Sequence, residues 1–481
     1  MIGIGTIFRR RAGSGGPLPP DYAKWVKEHM VFWYDMSKPV DTYAENFNDW
    51  TKFTGSKYTV TNKSVNITNF DAVNNASIYI AKSKKFNGIT ITVDGLLDGQ
   101  EIAWGYNNNP LVRMPKNGTY TLEPIDSITR NIGFRSINIV GACNITITQL
   151  PSGQSVPTNE ILKANPYLQD FSGNNRPLKL NNFLFAGMSG VGGYEYNWLD
   201  SALFITYLSG ARGDGTITDN TITINNVKVS SGVIETRVNS PSKKYKVRVT
   251  GITSNETLRY VVYGDTSLGE LATIIFDMKK DGEYELPAST YSATYNMKWQ
   301  VIAASYPHTC NITIEQIPAY PNALVTDGVD DYGVMENLQQ GVKVLFYTCN
   351  NFRLSQILYD QRKIGYNNIR SSYFSIFTEA NAIAYNARNV DGITYIDGEL
   401  NESIIANNLL KKKTIITIVN SSANSERTRK PSFFSKCNNL GYFANLAFYN
   451  SIGFDSVPTK ETDGFTEQDL INYVLENLIT Q

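Results

Sequence analysis

Two histidines, His29 and His308, are the only imidazoles among 481 residues, and they fall in distant parts of the chain. A nucleophile relay or a multi-histidine metal site needs such groups gathered at one place. Each histidine therefore reads as a surface or structural residue. Glycoside hydrolysis needs two carboxylates at a fixed separation. The nearest candidate is Glu461-Thr462-Asp463, in a loop bounded by Pro458 and Gly464, with no third carboxylate in register. Asp327, Asp330 and Asp331 make a dense acidic cluster of the kind that supplies oxygen ligands to Ca²⁺. The preferred alternative is that DGVDDY (Asp327–Tyr332) forms a turn and the start of a strand. GMSGVGGY (Gly187–Tyr194) is glycine-rich but lacks the Lys-Ser/Thr ending of a phosphate loop. Its glycines suit positive φ angles in a tight surface loop. Cys143, Cys310, Cys349 and Cys437 include no CxxC pair and read as buried small hydrophobes. The expectation is a non-enzymatic chain with no catalytic residue, no cofactor and no metal.

One local charge feature points to a partner. Arg9, Arg10 and Arg11 follow an apolar opening (Ile2, Ile4, Ile7, Phe8) and precede the linker AGSGGPLPP. An apolar–basic peptide on a flexible tether suits docking on another protein, which makes Ile7, Phe8, Arg9, Arg10 and Arg11 candidate docking residues. The alternative is a tail without a role.

The elements that must carry these residues are strands. Lys plus Arg and Asp plus Glu each number 44, so the formal charge is zero and nothing favours nucleic acid or an anionic membrane surface. Charged residues are only 18%, whereas aromatics reach 12%, with 29 Tyr and 22 Phe, a composition that favours sheet. No apolar run approaches the ~20 residues of a membrane span. The opening MIGIGTIFRRRAGSGG reverses the order of a secretory signal, so synthesis in a cytoplasm is expected.

The chain contains an internal duplication. TVTNKSVNITNF (Thr59–Phe70) aligns with TITDNTITINNV (Thr216–Val227), and SKKFNGITITVDG (Ser83–Gly95) with SKKYKVRVTG (Ser242–Gly251). MPKNGTYTLEP (Met114–Pro124) matches MKKDGEYELPA (Met278–Ala288), and CNITITQLP (Cys143–Pro151) matches CNITIEQIP (Cys310–Pro318). Each copy alternates apolar and polar residues, with Asn117-Gly118 and Asp281-Gly282 between runs, the pattern of antiparallel hairpins. Several strands per copy predict a small β-sandwich.

Outside the copies lie DYAKWVKEHMVFWYDMSK, then TNEILKANPYLQDFSGNNRPLKLNNFLFAGMSGVGGY, then VTDGVDDY. These words resemble a family of structural proteins, head-fibre-like or appendage proteins, of crAss-like and related Bacteroides phages. The words DxSGN and DGVDDY also resemble those of laminin-G-like, concanavalin-A-like jelly rolls. In that family the words run together, whereas here the two copies separate them. The fold predicted is therefore all-β: a discontinuous concanavalin-A-like jelly roll carrying two duplicated β-sandwich insertions. Its parts are a docking peptide and linker over 1–20, a jelly roll from 21–40, 156–200 and 320–481, and inserted modules over 42–154 and 205–319. VKVLFYT, SYFSIFT, AIAYNA, GITYIDG, KTIITIVN and FANLAFYNS read as its later strands. Helices are expected at DYAKWVKEHM and, capped by Thr466, at TEQDLINYVLENLIT.

The resemblance implies a virion structural protein, a head fibre or capsid decoration attached through its N-terminus and displayed on the particle surface. Capsid or other virion proteins and further copies of itself, as homodimer or homotrimer, are the partners implied, with no nucleic acid or membrane. The alternative is a carbohydrate-binding receptor-recognition tail fibre with weak glycan binding, for which Trp104, Trp198 and Trp299 are candidate stacking platforms, although burial is the commoner explanation for any one of them. A glycosidase is the third reading.

Overall fold

The computed structural model describes residues 21–479 except 53–55, 62, 71–75, 82–83, 107–108, 140, 209–210, 237–243, 264–272, 288–296, 336–337, 339–340, 352–356, 361–374, 380–381, 386–391, 401–411, 421–430 and 436–442. The candidate docking residues Ile7 to Arg11, and Cys437, lie outside the described residues.

The structure is all-β, built from antiparallel sheets. The central sandwich takes strands from three separate stretches of chain. One sheet runs Gly190–Val191, Leu324–Val325, Ala447–Phe454, Val344–Asn350, Thr414–Asn420, Gly392–Ile396, Glu399–Leu400, with Met30–Asp35 also on Ala447–Phe454. The facing sheet runs Tyr167–Leu168, Leu178–Asn181, Tyr332–Met335, Ser432–Phe433, Ile357–Asp360, Ser375–Glu379, Ala382–Tyr385. Phe32, Tyr34, Leu178, Leu180, Met335, Leu345, Tyr347 and Phe433 fill the space between them.

The first sheet is apolar on both faces because both are covered. Met30–Asp35 and the first six residues of Val344–Asn350 are buried throughout, the continuous rather than alternating pattern expected of doubly covered strands. Helices Tyr22–His29 and Glu467–Asn477 cover its outer side, where Trp25, Val26, Leu470, Ile471 and Val474 pack on Trp33, Phe346, Ile452 and Phe454. Thr466 caps the second helix in a capping box with Asp469. The last strand is Ala447–Phe454 rather than the expected 443–451. Residues 444 and 446 are taken up by Thr326, whose hydroxyl donates to the Ala444 carbonyl at 2.7 Å and whose amide donates to Leu446 at 2.9 Å. Ile452 and Phe454 are instead required under the helices.

Each inserted module is a sandwich of two five-stranded sheets. In the first, Gly118–Leu122, Ile89–Asp94, Gly141–Gln149, Ser64–Phe70 and Lys57–Val60 face Thr51–Lys52, Ala76–Ile80, Ile132–Ser136, Ile102–Tyr106 and Asn109–Met114. In the second, Gly213–Ile217, Thr221–Val227, His308–Ile317, Tyr245–Thr250 and Gly282–Leu286 face Phe204–Thr206, Ile234–Thr236, Met297–Ala303, Glu256–Tyr263 and Thr273–Met278.

The duplication extends to single hydrogen bonds. Tyr120 and Tyr284 donate their hydroxyls to the carbonyls of Lys116 and Lys280. The thiols of Cys143 and Cys310 each lie 3.4 Å from a carbonyl of the neighbouring strand, Ile67 and Ile224. Gly95 and Gly251 both have φ +88°, and a Cβ at either would collide with the carbonyl of Asn144 or Asn311.

The modules hang from clamped stems. The first leaves and returns as a ribbon in which Val40–Thr42 pairs with Gly153–Ser155. The second leaves at Gly192 and returns at Tyr320, whose amide donates to the Gly192 carbonyl at 2.9 Å. Just inside each stem a glutamine ties the incoming chain down. Gln149 accepts from the Glu45 amide at 3.1 Å and donates to the Glu45 carbonyl at 2.9 Å. Gln316 does the same to Tyr196, at 3.0 and 2.8 Å. This lock brings Tyr196 and Trp198 into the second module's core, so that module begins some residues before the expected 205.

Both glutamines are almost fully buried. Gln316→Leu leaves an amide and a carbonyl of Tyr196 without partners, a loss of about 2–3 kcal/mol. Scanning calorimetry should show one transition moved to lower temperature, with Gln149→Leu moving a different one. An unchanged thermogram would show that the lock is dispensable.

Candidate functional site

The words that drew attention in the sequence fold into joints between the three segments of the central sandwich. In DFSGNNR, Asp170 accepts from the Trp33 and Ser172 amides at 2.9 Å each and from the Arg176 amide at 3.0 Å. The Asn174 side-chain amide donates to the Met30 carbonyl at 2.7 Å, and Arg176 donates to Val31 at 3.1 Å. The turn thus holds the first strand of the sandwich. GMSGVGGY is the stem of the second module. Gly192 and Gly193 adopt φ +84° and +60°, and added Cβ atoms there would meet Pro318 and Val325 within 3 Å.

The acidic turn is the strongest candidate for chemistry. Carboxylate oxygens of Asp327, Asp330 and Asp331 lie within 4.8 Å of one another, from half-buried, exposed and buried side chains respectively. Asp331 is fully enclosed, accepting from the Ser189 hydroxyl and from the Asp327 amide, each at 3.0 Å. Asp327 accepts from the Val329 amide at 2.8 Å, and Asn445 donates to the Asp327 carbonyl at 2.8 Å. Burial, reinforced by the charges of Asp327 and Asp330, pushes the Asp331 carboxyl up to about 7. A hard divalent cation is what three such oxygens could hold, and its charge would reverse that shift. Two hydrogen bonds, however, from Ser189 to Asp331 and from Asn445 to the Asp327 carbonyl, join the turn to distant parts of the chain, while the Asp327 and Val329 amides close it on itself.

The remaining candidates are dispersed. His29 Nδ1 lies 3.0 Å from Asp455, and His308 Nε2 lies 2.7 Å from Glu256. Cys310 is two residues from His308, but burial, with Glu256 adding to it, pushes its thiol up to about 11. A nucleophilic cysteine needs the opposite shift. Asp463 accepts from the Thr459 amide at 2.9 Å and the Thr462 hydroxyl at 2.7 Å, closing a short helical turn, and Glu461 is exposed. Trp104, Trp198 and Trp299 have at most 1% of their surface exposed and cannot stack on a sugar. Their size fills the module cores, which overturns their reading as platforms.

No family model matches the chain, and no curated protein matches it. Among solved structures, the chain is similar to a point variant of the oxalate decarboxylase of B. subtilis at 9% identity and a TM-score of 0.14, over 65% of this chain and 88% of that one. It is similar to an allantoicase at 12% identity and a TM-score of 0.11, over 61% and 97%. A GH31 alpha-xylosidase from Xanthomonas citri gives 8% identity and 0.07, over 87% and 40%. Likenesses this distant carry no argument about activity.

Asp331 provides a pH signature. Its folded pKa is raised, so between the ordinary carboxylate value and about 7 the folded chain holds a proton that the unfolded chain has released. Stability is then greatest at low pH within that window and falls as pH rises toward 7, by order of a few kcal/mol. Asp331→Asn should flatten the melting temperature between mildly acidic and mildly alkaline buffer. At alkaline pH, millimolar Ca²⁺ should leave the wild-type melting temperature unchanged if the turn is only a joint, and a rise would identify a cation site.

Proposed function

We propose that this chain is a structural protein of a virus particle, most specifically a head fibre or capsid-surface appendage, held by its N-terminal peptide and displaying three β-sandwiches outward. The observation that carries the reading is the use made of its motifs. DFSGNNR and DGVDDY, words that resemble those of the phage family, join the three segments of the central sandwich, and GMSGVGGY forms the stem from which the second module hangs. A protein that presents mass and surface needs such joints, and a catalyst needs a cleft with converging acid, base and nucleophile. The chain acts without a cofactor, in contact with capsid or other virion proteins and with copies of itself as a dimer or trimer. Neither nucleic acid nor membrane is a partner. Among the described residues no helix is long and apolar enough to cross a membrane. Ile7, Phe8, Arg9, Arg10 and Arg11 make the docking contact.

Imaging of purified virions carrying a tag at the C-terminus of this protein tests the reading. Label on the capsid shell, lost when residues 1–16 are deleted, is the expected result. Label confined to the tail would make it a receptor-binding fibre, and absence of label would remove the virion reading.

A further inference from the structure

The two modules share a backbone but differ on one outer face. In the first, strand register aligns Thr119, Thr92, Thr148 and Ser64 in a row across four strands. In the second, the corresponding row is Glu283, Arg248, Glu315 and Thr221. A neighbouring pair, Thr121 opposite Thr90, becomes Glu285 opposite Lys246. Five threonines of one copy thus stand where the other has five charged residues. The second face satisfies itself, since Arg248 pairs with Glu283 at 2.9 Å and with Glu315 at 3.4 Å, and Lys244 pairs with Glu285. The first face carries uncharged hydroxyls and amides instead: Thr146 and Asn66, bonded to each other at 2.9 Å, extend the grid beside the threonine row, in which Thr92 donates to the Thr148 carbonyl at 3.4 Å. The charged copy shows that this backbone does not require threonine at those positions.

At the end of the threonine face lies a hollow of about 240 Å³, below the ~300 Å³ at which drug-sized pockets begin. Asn87, Thr90, Thr121, Glu123, Leu150 and Ser152 are among its lining residues. Its wall is fixed in advance. Gln149 holds the Glu45 backbone, and the Glu45 carboxylate accepts from the Asn87 amide at 2.8 Å and from the Trp50 indole at 3.3 Å.

We propose that this hollow and the hydroxyl face leading to it bind a neutral polysaccharide, one sugar ring in the hollow and the following units along the threonine row. The chemistry selects that occupant. Nucleic acid would need a basic groove, and the core of a protein interface would need aromatic or apolar side chains. Hydroxyls repeated at the ~4.8 Å spacing of strands, each able both to donate and to accept, suit a polyhydroxylated chain. Leu150 and Pro151 give an apolar floor for a sugar's C–H face, and Glu123 accepts from paired hydroxyls. The inference stands apart from the virion proposal, which concerns the N-terminal peptide.

Affinity electrophoresis of the full chain through native gels containing dextran, levan, mixed-linkage β-glucan or galactomannan tests it, with polygalacturonate as the acidic counterpart. At least one neutral polymer should retard the wild type. The triple variant Thr92→Arg, Thr119→Glu, Thr148→Glu, whose side chains the second module already accommodates, should lose at least about tenfold in apparent affinity. Arg248→Thr, Glu283→Thr, Glu315→Thr should be retarded as much as the wild type is, each protein's mobility being taken relative to its own in a polymer-free gel. Retardation by none of the neutral polymers, retardation by polygalacturonate alone, or equal retardation of the Thr92 triple variant would overturn the proposal. Light scattering on both variants completes the test: if the Thr92 triple variant dissociates an oligomer and leaves retardation intact, the face is an interface between copies and the glycan site is refuted.

Discussion

The central sandwich depends on one pairing, that of the strand Met30–Asp35 with Ala447–Phe454, in which Trp33 stands opposite Ile452. The partners belong to opposite ends of the chain, and everything between them must close without straining this ladder. Loop-closure entropy rises only with the logarithm of loop length, about 0.6 kcal/mol per doubling. The intervening chain is also not free. The Val40–Thr42 ribbon and the Gly192–Tyr320 contact bring the ends of each module together, so each module enters the closure as a short link. The joints at Asp170 and Asp331 then tie the first and third segments to the second.

This arrangement explains where buried polar groups are placed. Gln149, Gln316, Asp170 and Asp331 are all buried, and each bonds backbone or side chain far away in sequence. A buried polar side chain is costly unless its partners are in position. Such residues therefore specify where a segment docks, a task the non-directional packing of Phe and Ile performs poorly. The Gln316 lock illustrates the point: it fixes Tyr196, and Tyr196 in turn packs edge-on to Phe204 and Tyr245 at the base of the second module.

Local features were legible in the sequence because they are set by neighbours. The Thr466 cap and the period-two strands of both modules follow from capping and alternation. The duplication exposed the modules, since matching words must occupy matching places. Burial was the commoner expectation for each tryptophan, but it could not be assigned from Trp104's own strand, IAWGY, whose packing neighbours come from elsewhere in the chain. The start of the second module was missed for a related reason, the long-range bond from Gln316 to Tyr196. The acidic segment was read as a turn and the start of a strand, but its role as a joint and the fully enclosed state of Asp331 depend on Ser189, far away in sequence.

The contrast between the two outer faces also follows from energetics. Exposed ion pairs contribute little to stability, with a median near 0–1 kcal/mol, and exposed threonines on a strand are similarly undemanding. The inward positions had no such freedom. Val65, Ile67, Ile145 and Ile147 in one copy correspond to Ile222, Ile224, Ile312 and Ile314 in the other, all with no exposed surface. After duplication the core stayed apolar while the outer rows could exchange hydroxyls for charges at almost no cost to folding. With equal numbers of acidic and basic side chains overall, the molecule has no net charge to steer a partner from a distance. What distinguishes the modules to an approaching ligand is therefore short-range chemistry on these rows: a self-neutralised ion-pair lattice on one, and an uncharged hydrogen-bonding grid on the other.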